Sequence, residues 1–141
     1  MLKIKLAHPE ILRILGKAGH GSKVLIADGD YPVSTTGGRN STIVHLNLSS
    51  GIVNCTQVLE AIMSVLLIED AAVMDVPPGR STPPIWEEYR NILKKNGYDF
   101  LIRQIERFSF YKEVGGDEVA LIIQTGETKD YANILLTVGS L

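Results

Sequence analysis

The stretch GHGSKVLIADGDYPV, residues 19–33, joins a short apolar run to polar residues on both sides. Its centre, KVLIA (23–27), is apolar at almost every position, which is typical of a strand buried on both faces of a parallel sheet. His20 precedes this run, whereas Asp28 and Asp30 follow it. The stretch therefore predicts a central strand whose polar flanks are either turn residues or groups of an active site.

Outside this strand, apolar runs alternate with segments of helical periodicity. Helices are predicted from Pro9 onward, over residues 54–70 and in IWEEYRNILKKNG (85–97). Further strands are predicted over residues 43–48, 71–76, 118–125 and 133–139. FLIRQIE (100–106) fits a strand or a helix, FSFYKEVGG (108–116) predicts one or two helical turns, and residues 28–41 predict a long loop. This alternation predicts an α/β fold, a mostly parallel sheet with helices on both faces.

Composition limits the class of protein. The chain has 141 residues, of which 45% are apolar and 21% charged, with a net charge of −2. That length and apolar content predict one domain over residues 1–141, and the alternation of strands and helices predicts that it has three layers. The weak negative charge argues against nucleic acid as a partner. No apolar run has the roughly 20 residues of a membrane span, so no membrane partner is expected.

Targeting features and common cofactor motifs are missing from the sequence. The first residues lack the apolar segment of a signal peptide, and one cysteine excludes an internal disulfide framework. A cytoplasmic protein is therefore expected. GxxxxGK[ST], GxGxxG after a strand, HExxH and GxSxG do not occur. These absences argue against a nucleotide-binding motif and against a structural zinc site.

Charged side chains follow several predicted strands at the point where each strand ends. Ligands of α/β proteins bind at this carboxyl edge, where the sequence places Asp28, Asp30, Asp75, Arg107 and Glu127. Three tyrosines lie near the same strand ends: Tyr31, Tyr111 and Tyr131. Carboxylates accept hydrogen bonds from hydroxyl groups and arginine donates them, so this mixture suits a neutral ligand rich in hydroxyls. Acids at strand ends are also common as solvated turn residues, and the pattern alone leaves both interpretations open.

His20 has two interpretations of its own. Imidazole titrates close to neutral pH, which suits a general acid or base. A histidine that follows a glycine near a helix end also serves simply as a cap for backbone carbonyls. The residue type alone does not decide between a catalytic and a capping role.

Three segments, in the same order along nearly the whole chain, resemble the L-fucose mutarotase and D-ribose pyranase family: GHGSKVLIADGDYP, RFSFY and TGETKDYANILLTVG. LGKAGHG is also similar to the family's entry into its first strand, and YRNIL to its third helix. The residues of GHG and RFSFY resemble the fucose branch more than the ribose branch, since the ribose branch usually carries a histidine where Arg107 stands. The resemblance implies a sugar isomerase that uses neither metal nor organic cofactor.

The resemblance also implies roles for individual residues. The family's catalytic histidine falls on His20. Its substrate-binding residues fall on Asp28, Arg107, Tyr131 and Asn133. The chain departs from the family at Asp30, where the fucose branch tends to have His or Asn, and this difference concerns the identity of the sugar more than the reaction.

These implications predict a mutarotase that interconverts the α and β anomers of a reducing monosaccharide, with L-fucose as the expected substrate. Ring opening needs one proton delivered to the ring oxygen and another removed from the anomeric hydroxyl, and His20 can serve in either transfer. Two alternatives remain: a D-ribose pyranase, and a non-catalytic sugar-binding partner of a transport or regulatory system. A histidine that titrates near neutrality is needed by the enzyme and not by the binder.

The length of the first strand adds a geometric constraint. An extended strand over residues 23–27 spans about 17 Å, so His20 and Asp28 lie at its opposite ends. Either the loop around His20 folds back, or a neighbouring subunit completes the site. The resemblance implies rings of subunits with sites at their contacts. We therefore expect a homo-oligomer whose site lies at a subunit interface.

Overall fold

The apolar run at residues 23–27 forms a central strand of one six-stranded sheet. The computed structural model describes residues 1–141. The strands are β1 (Lys23–Ala27), β2 (Thr42–His45), β3 (Ile68–Met74), β4 (Arg103–Ile105), β5 (Val119–Gln124) and β6 (Ile134–Val138). They lie in the order β2-β5-β1-β6-β3-β4. Because β1 has neighbours on both sides, almost every one of its side chains is buried, as its sequence predicts.

Five of the six strands run in the same direction. β1 and β2 pair with β5 in parallel, and β3 pairs with β4 in parallel. β6 lies between β1 and β3 and is antiparallel to both. The prediction of a mostly parallel sheet is confirmed. One consequence is that the start of β6 lies at the same edge as the carboxyl ends of the other strands.

Five helices cover the two faces of the sheet, which confirms the three-layer α/β fold: α1 (Pro9–Leu15), α2 (Val33–Thr36), α3 (Cys55–Met63), α4 (Ile85–Lys95) and α5 (Arg107–Val114). α1, α3 and α4 pack on one face around a core of 27 buried residues. α2 and α5 pack on the other, around 10 buried residues, so the first face holds most of the core. None of the helices combines the length and the apolarity that crossing a bilayer requires.

Local sequence signals explain where α3 and α4 begin and end. Asn54 caps α3 through a capping box, in which its side chain accepts from the Gln57 backbone N–H and Gln57 accepts from the Asn54 N–H. α4 carries Lys94 and Lys95 in its last turn, where cations interact favourably with the helix dipole. Gly97 follows in the left-handed region, at φ 88°, which glycine adopts without strain. The predicted start of α3 and the predicted end of α4 are confirmed.

The predicted helix over residues 54–70 is too long. α3 ends at Met63, where the Ser64 hydroxyl bonds back to the carbonyl of Ala61. Ile68 already belongs to β3 and pairs with Val138 of β6. The apolar run between helix and strand satisfies helical spacing, but pairing with β6 recruits its last residues into the sheet. Periodicity within one segment cannot report that long-range pairing.

Smaller boundaries also differ from the sequence predictions, and the strand predicted over 71–76 covers Ile68–Met74. The loop over residues 28–41 contains the short helix α2. The strand predicted over 43–48 covers Thr42–His45 and stops there, whereas the ambiguous segment 100–106 contains the short edge strand β4. These corrections leave the carboxyl edge of the sheet, and the residues predicted to lie on it, unchanged.

Candidate functional site

A cavity of about 270 Å³ opens at the carboxyl edge of the sheet, beside the ends of β1 and β3 and the start of β6. Its size lies just below the range of about 300–1,000 Å³ that is usual for small-molecule sites. Twelve residues line it: Asp28, Asp30, Tyr31, Pro32, Met74, Arg80, Arg107, Tyr111, Lys129, Asp130, Tyr131 and Asn133. The four predicted substrate-binding residues are all among them.

Charges in the cavity wall are balanced. Three cations face three carboxylates: Arg80, Arg107 and Lys129 against Asp28, Asp30 and Asp130. A wall with no excess of either sign offers many hydrogen-bond donors and acceptors without favouring a strongly charged ligand. The arrangement therefore suits a small neutral ligand with several hydroxyl groups.

Asp28 and Asn133 are joined by a reciprocal pair of hydrogen bonds. The Asn133 side-chain amide donates to Asp28 Oδ2 at 3.0 Å, and the Asp28 backbone N–H donates to Asn133 Oδ1 at 2.8 Å. The pair forms because β1 ends beside the start of antiparallel β6. Both residues are buried, so their side chains are held in one orientation at the base of the cavity.

Burial governs the charge of Asp28. Loss of hydration raises the pKa of its carboxyl group to about 6, and the nearby negative charge of Asp30 acts in the same direction. Backbone N–H groups oppose this rise, among them the Asp30 N–H, which donates to Asp28 Oδ1 at 3.2 Å. Asp28 is therefore mainly ionised at neutral pH and becomes protonated in mildly acidic solution.

Tyr131 projects from the loop before β6 in an unusual backbone conformation. Its φ is 55°, and it is the one residue other than glycine with a positive φ. Non-glycine residues seldom occupy this region unless surrounding contacts hold them there. Trp86 supplies one such contact, because its indole N–H donates to the Tyr131 carbonyl at 2.9 Å. The neighbouring Ala132 carbonyl accepts from the Tyr89 hydroxyl.

Trp86 and Tyr89 support the site from behind, since both side chains are buried in the core. An aromatic contact from either ring to a sugar in the cavity is excluded by this burial. Their polar ends instead fix the backbone of the loop that carries Tyr131 and Asn133. Aromatic residues with a polar tip suit this role, because burial stabilises the ring while the tip bonds a backbone carbonyl.

Arg107 is the first residue of α5 and also lines the cavity. Its Nε donates to the Tyr111 hydroxyl at 3.3 Å, and its guanidinium carbon lies 5.7 Å from the centre of the Tyr111 ring. No carboxylate pairs with Arg107 in the structure. Its remaining N–H groups are therefore free to donate to a ligand oxygen.

Sequence reasoning missed Arg80, Lys129 and Asp130 as lining residues. Arg80 comes from the loop after β3, whose proline and glycine residues predict only an irregular connection. Its position soon after the end of a strand is the feature of the sequence that could have indicated it.

Asp75 and Glu127 also follow strands, but neither lines the cavity. Both Glu127 oxygens accept backbone N–H groups, including that of Cys55 at the start of α3, so Glu127 has a capping role.

His20 does not lie in the cavity. It precedes β1 at the opposite edge of the sheet, where its Nε2 lies 2.8 Å from Glu69 Oε2. The backbone of Gly21 bonds the carbonyl of Val138 at the end of β6, which fixes the turn at this edge. The turn does not fold back toward Asp28. One chain therefore brings together Asp28, Arg107, Tyr131 and Asn133 but leaves His20 apart from them.

Glu69 is a further residue that the sequence did not indicate. Its position inside the predicted helix over 54–70 hid its place at the start of β3, beside the turn that holds His20. The structure also contains no group of three or more His, Cys, Asp or Glu side chains that could hold a metal ion.

The fold and the cavity define an α/β protein with a small, polar cavity at the carboxyl edge of its sheet. Comparison with protein-family models gives the particular family. Residues 1–141 match the model of the RbsD / FucU transport protein family, and the chain belongs to that family. The resemblance found in the three sequence segments is confirmed.

Individual relatives agree with this placement. The chain is 32% identical to the fucose mutarotase of Homo sapiens over 146 residues, covering 96% of this chain and 90% of that protein. A crystal structure of the fucose mutarotase from Streptococcus pneumoniae in complex with L-fucose is similar, with a TM-score of 0.87 and 27% identity. It covers 100% of this chain and 99% of that one. RbsD of Bacillus subtilis complexed with D-ribose shares the fold, with a TM-score of 0.78, 20% identity, and coverage of 100% and 99%.

Proposed function

We propose that this chain, acting as a single domain, is a mutarotase that interconverts the α and β anomers of L-fucose. The observation that carries the proposal is the cavity in which Asp28, Arg107, Tyr131 and Asn133 converge. The similar structure from Streptococcus pneumoniae binds L-fucose, which supports this sugar as the ligand. Relatives that cover most of the chain are named fucose mutarotase, which supports the reaction.

The cavity residues suit sugar binding more than proton transfer. The ionised Asp28 carboxylate accepts hydrogen bonds from sugar hydroxyls, and Arg107 donates them. The Tyr131 hydroxyl can act as donor or acceptor, and Asn133 keeps Asp28 oriented. Together these groups hold the ring while its anomeric carbon remains accessible to an acid–base group.

His20 serves as that acid–base group in our proposal. Mutarotation requires a proton on the ring oxygen and loss of the proton from the anomeric hydroxyl, which yields the open-chain aldehyde. Closure on the other face of the carbonyl reverses both transfers and gives the second anomer. The carboxylate of Glu69 lies 2.8 Å from His20 Nε2 and can hold the imidazole ring in one orientation. Acid–base catalysis of this kind contributes about 10²–10⁴-fold in rate.

Since one chain separates His20 from the cavity, we propose that two neighbouring subunits share each site. The His20 edge of one subunit would face the cavity of the next, and repetition of this contact would close a ring. The exposed position of His20 supports this arrangement, since its side chain is 60% accessible in the isolated chain. A homo-oligomer is therefore required for activity.

We also propose a cytoplasmic location. The chain has one cysteine, Cys55, which is free and buried. Burial raises the pKa of its thiol to about 12, so this thiol stays protonated and unreactive. A fold without disulfides fits a reducing compartment. Fractionation of the source cells, with detection of the chain by an antibody, tests the location.

Saturation-transfer NMR on free L-fucose tests the function. The wild-type protein should speed the exchange of magnetisation between the two anomeric protons, and His20→Ala should abolish this acceleration. His45→Ala is the matched control, because His45 is also exposed but bonds only Gln124 and does not line the cavity. Wild-type binding of L-fucose without accelerated exchange would identify a sugar binder instead. Acceleration with D-ribose and not L-fucose would identify a pyranase.

A further inference from the structure

Arg80 contacts the Tyr131 loop at two points. Its Nη2 bonds the carboxylate of Asp130, and its guanidinium carbon lies 4.9 Å from the centre of the Tyr131 ring. The first contact is an ion pair and the second has the geometry of a cation–π interaction. Arg80 belongs to the loop over residues 77–84, so it links the segment after β3 to the segment before β6.

The contacts of Tyr131 divide between its backbone and its ring. Trp86 holds the backbone carbonyl from the core side. The guanidinium group of Arg80, whose side chain is partly exposed, lies over the ring. Tyr131 and Arg80 line the same cavity, so the orientation of the ring fixes part of the cavity wall. Without Arg80, the Trp86 contact would still hold the backbone, but the ring would lose the cation that lies over it.

Stability alone does not account for this contact. The Arg80 and Asp130 side chains are 46% and 67% accessible, and ion pairs at such exposure contribute little to the free energy of unfolding. Their effect is local, on the position of one aromatic ring. That ring belongs to Tyr131, which contacts the sugar in the proposed function.

We infer that Arg80 is a positioning residue for the sugar site, which orients the Tyr131 ring by stacking on it while paired to Asp130. This inference rests on the proposed function for its ligand, a neutral monosaccharide. It extends the site to the loop over residues 77–84, whose length and composition then help to determine which sugar fits. Arg80 takes no part in the proton transfers.

The test compares three single variants in the anomer-exchange assay with L-fucose. Arg80→Ala should raise KM about threefold to tenfold while kcat stays within about twofold, because it removes a binding contribution of cation–π and ion-pair size. Arg80→Lys should restore part of the lost affinity, since it keeps the charge near Asp130 and the ring. Arg13→Ala is the matched control, because Arg13 forms a similar exposed pair with Glu10 on α1, away from the cavity.

A second measurement follows the ring itself. In protein labelled with ¹³C on tyrosine rings, the Tyr131 signal is assigned by its loss in Tyr131→Phe. This signal should shift in Arg80→Ala and stay in place in Arg13→Ala. An unchanged KM, or an unchanged Tyr131 signal, in Arg80→Ala would overturn the positioning role. If the wild-type protein fails to accelerate exchange, the proposed function is wrong, whereas a shifted Tyr131 signal would still support the contact.

Discussion

Asp28 is buried, although the proposed sugar binding uses its ionised form. In the folded chain the pKa of its carboxyl group is about 6, whereas a solvated aspartate titrates near 3.9. Between these values the folded state holds a proton that the unfolded state has released. The free energy of unfolding therefore falls as pH rises from about 4 to 6, by roughly 3 kcal/mol for this group alone. The protein thus tolerates a destabilising carboxylate at neutral pH, as binding sites often do.

Titration of Asp28 gives a direct check on this electrostatic account. Carboxyl ¹³C NMR should show Asp28 titrating near pH 6 in the wild-type protein, and Asp30→Asn should lower that pKa because it removes a neighbouring negative charge. Asp117→Asn, at an exposed pair with Arg39, serves as control and should leave Asp28 unchanged. A wild-type Asp28 that titrates near 4 would contradict the account. Sugar binding should weaken below the same pKa, as the acceptor oxygen becomes protonated.

The rule that ligands of α/β proteins bind at the carboxyl edge of the sheet predicted part of the site from the sequence. Asp28, Arg107 and Tyr131 were identifiable as edge residues, because strand ends can be located from apolar runs. Asn133 came from the family resemblance. Arg80 was not identified, since its contacts depend on how two loops approach each other in space. Glu69 was not identified because the helix predicted over residues 54–70 included it, whereas it lies near the start of β3.

The loop over residues 126–133 carries Tyr131 and Asn133, two of the proposed sugar-binding residues. Close backbone contact with the segment before α3 sets the path of this loop. The Gly126 N–H donates to the Val53 carbonyl at 2.8 Å, and its own carbonyl accepts from Gly51 at 2.6 Å. A methyl group on Gly126 would lie 2.3 Å from the Ser49 carbonyl oxygen. The neighbouring atoms are backbone, so they cannot rotate away as a side chain would.

Gly126→Ala should therefore destabilise the fold by about 1–3 kcal/mol, the usual cost of overpacking. It should also weaken sugar binding, because Tyr131 and Asn133 follow in the same loop. Gly19→Ala is the matched control, since a methyl group there meets nothing within 4 Å. Urea unfolding of the wild type and the two variants measures the change in stability, and titration with L-fucose measures the change in binding. Equal midpoints for the two variants would show that the loop yields without cost.

Element types were more predictable than element ends. The start of α3 and the end of α4 were found because capping residues act within a few positions of the chain. The end of α3 was missed because β6, about 70 residues later, recruits Ile68 into the sheet. The antiparallel direction of β6 was likewise not visible, since its apolar run is the same in either orientation.

The whole chain presents two polar edges with different chemistry. The carboxyl edge has a cavity with balanced charges, and the amino edge exposes His20 beside Glu69. In one chain β1 holds these edges apart, by about 17 Å for an extended strand of five residues. A sugar cannot reach both within one subunit. The proposed ring resolves this separation, since each contact between subunits joins the amino edge of one chain to the carboxyl edge of the next.

Mixing two inactive variants tests this shared site. His20→Ala keeps an intact cavity, and Asp28→Asn keeps an intact His20, so each alone should lack accelerated exchange. After the two are unfolded, mixed in equal amounts and refolded together, about one quarter of the sites should join an intact cavity to an intact His20 from the neighbour. Exchange should recover to a similar fraction of the wild-type rate. A site built within one subunit would predict no recovery at any ratio. The double variant His20→Ala/Asp28→Asn, mixed with wild type, controls for effects of mixing alone.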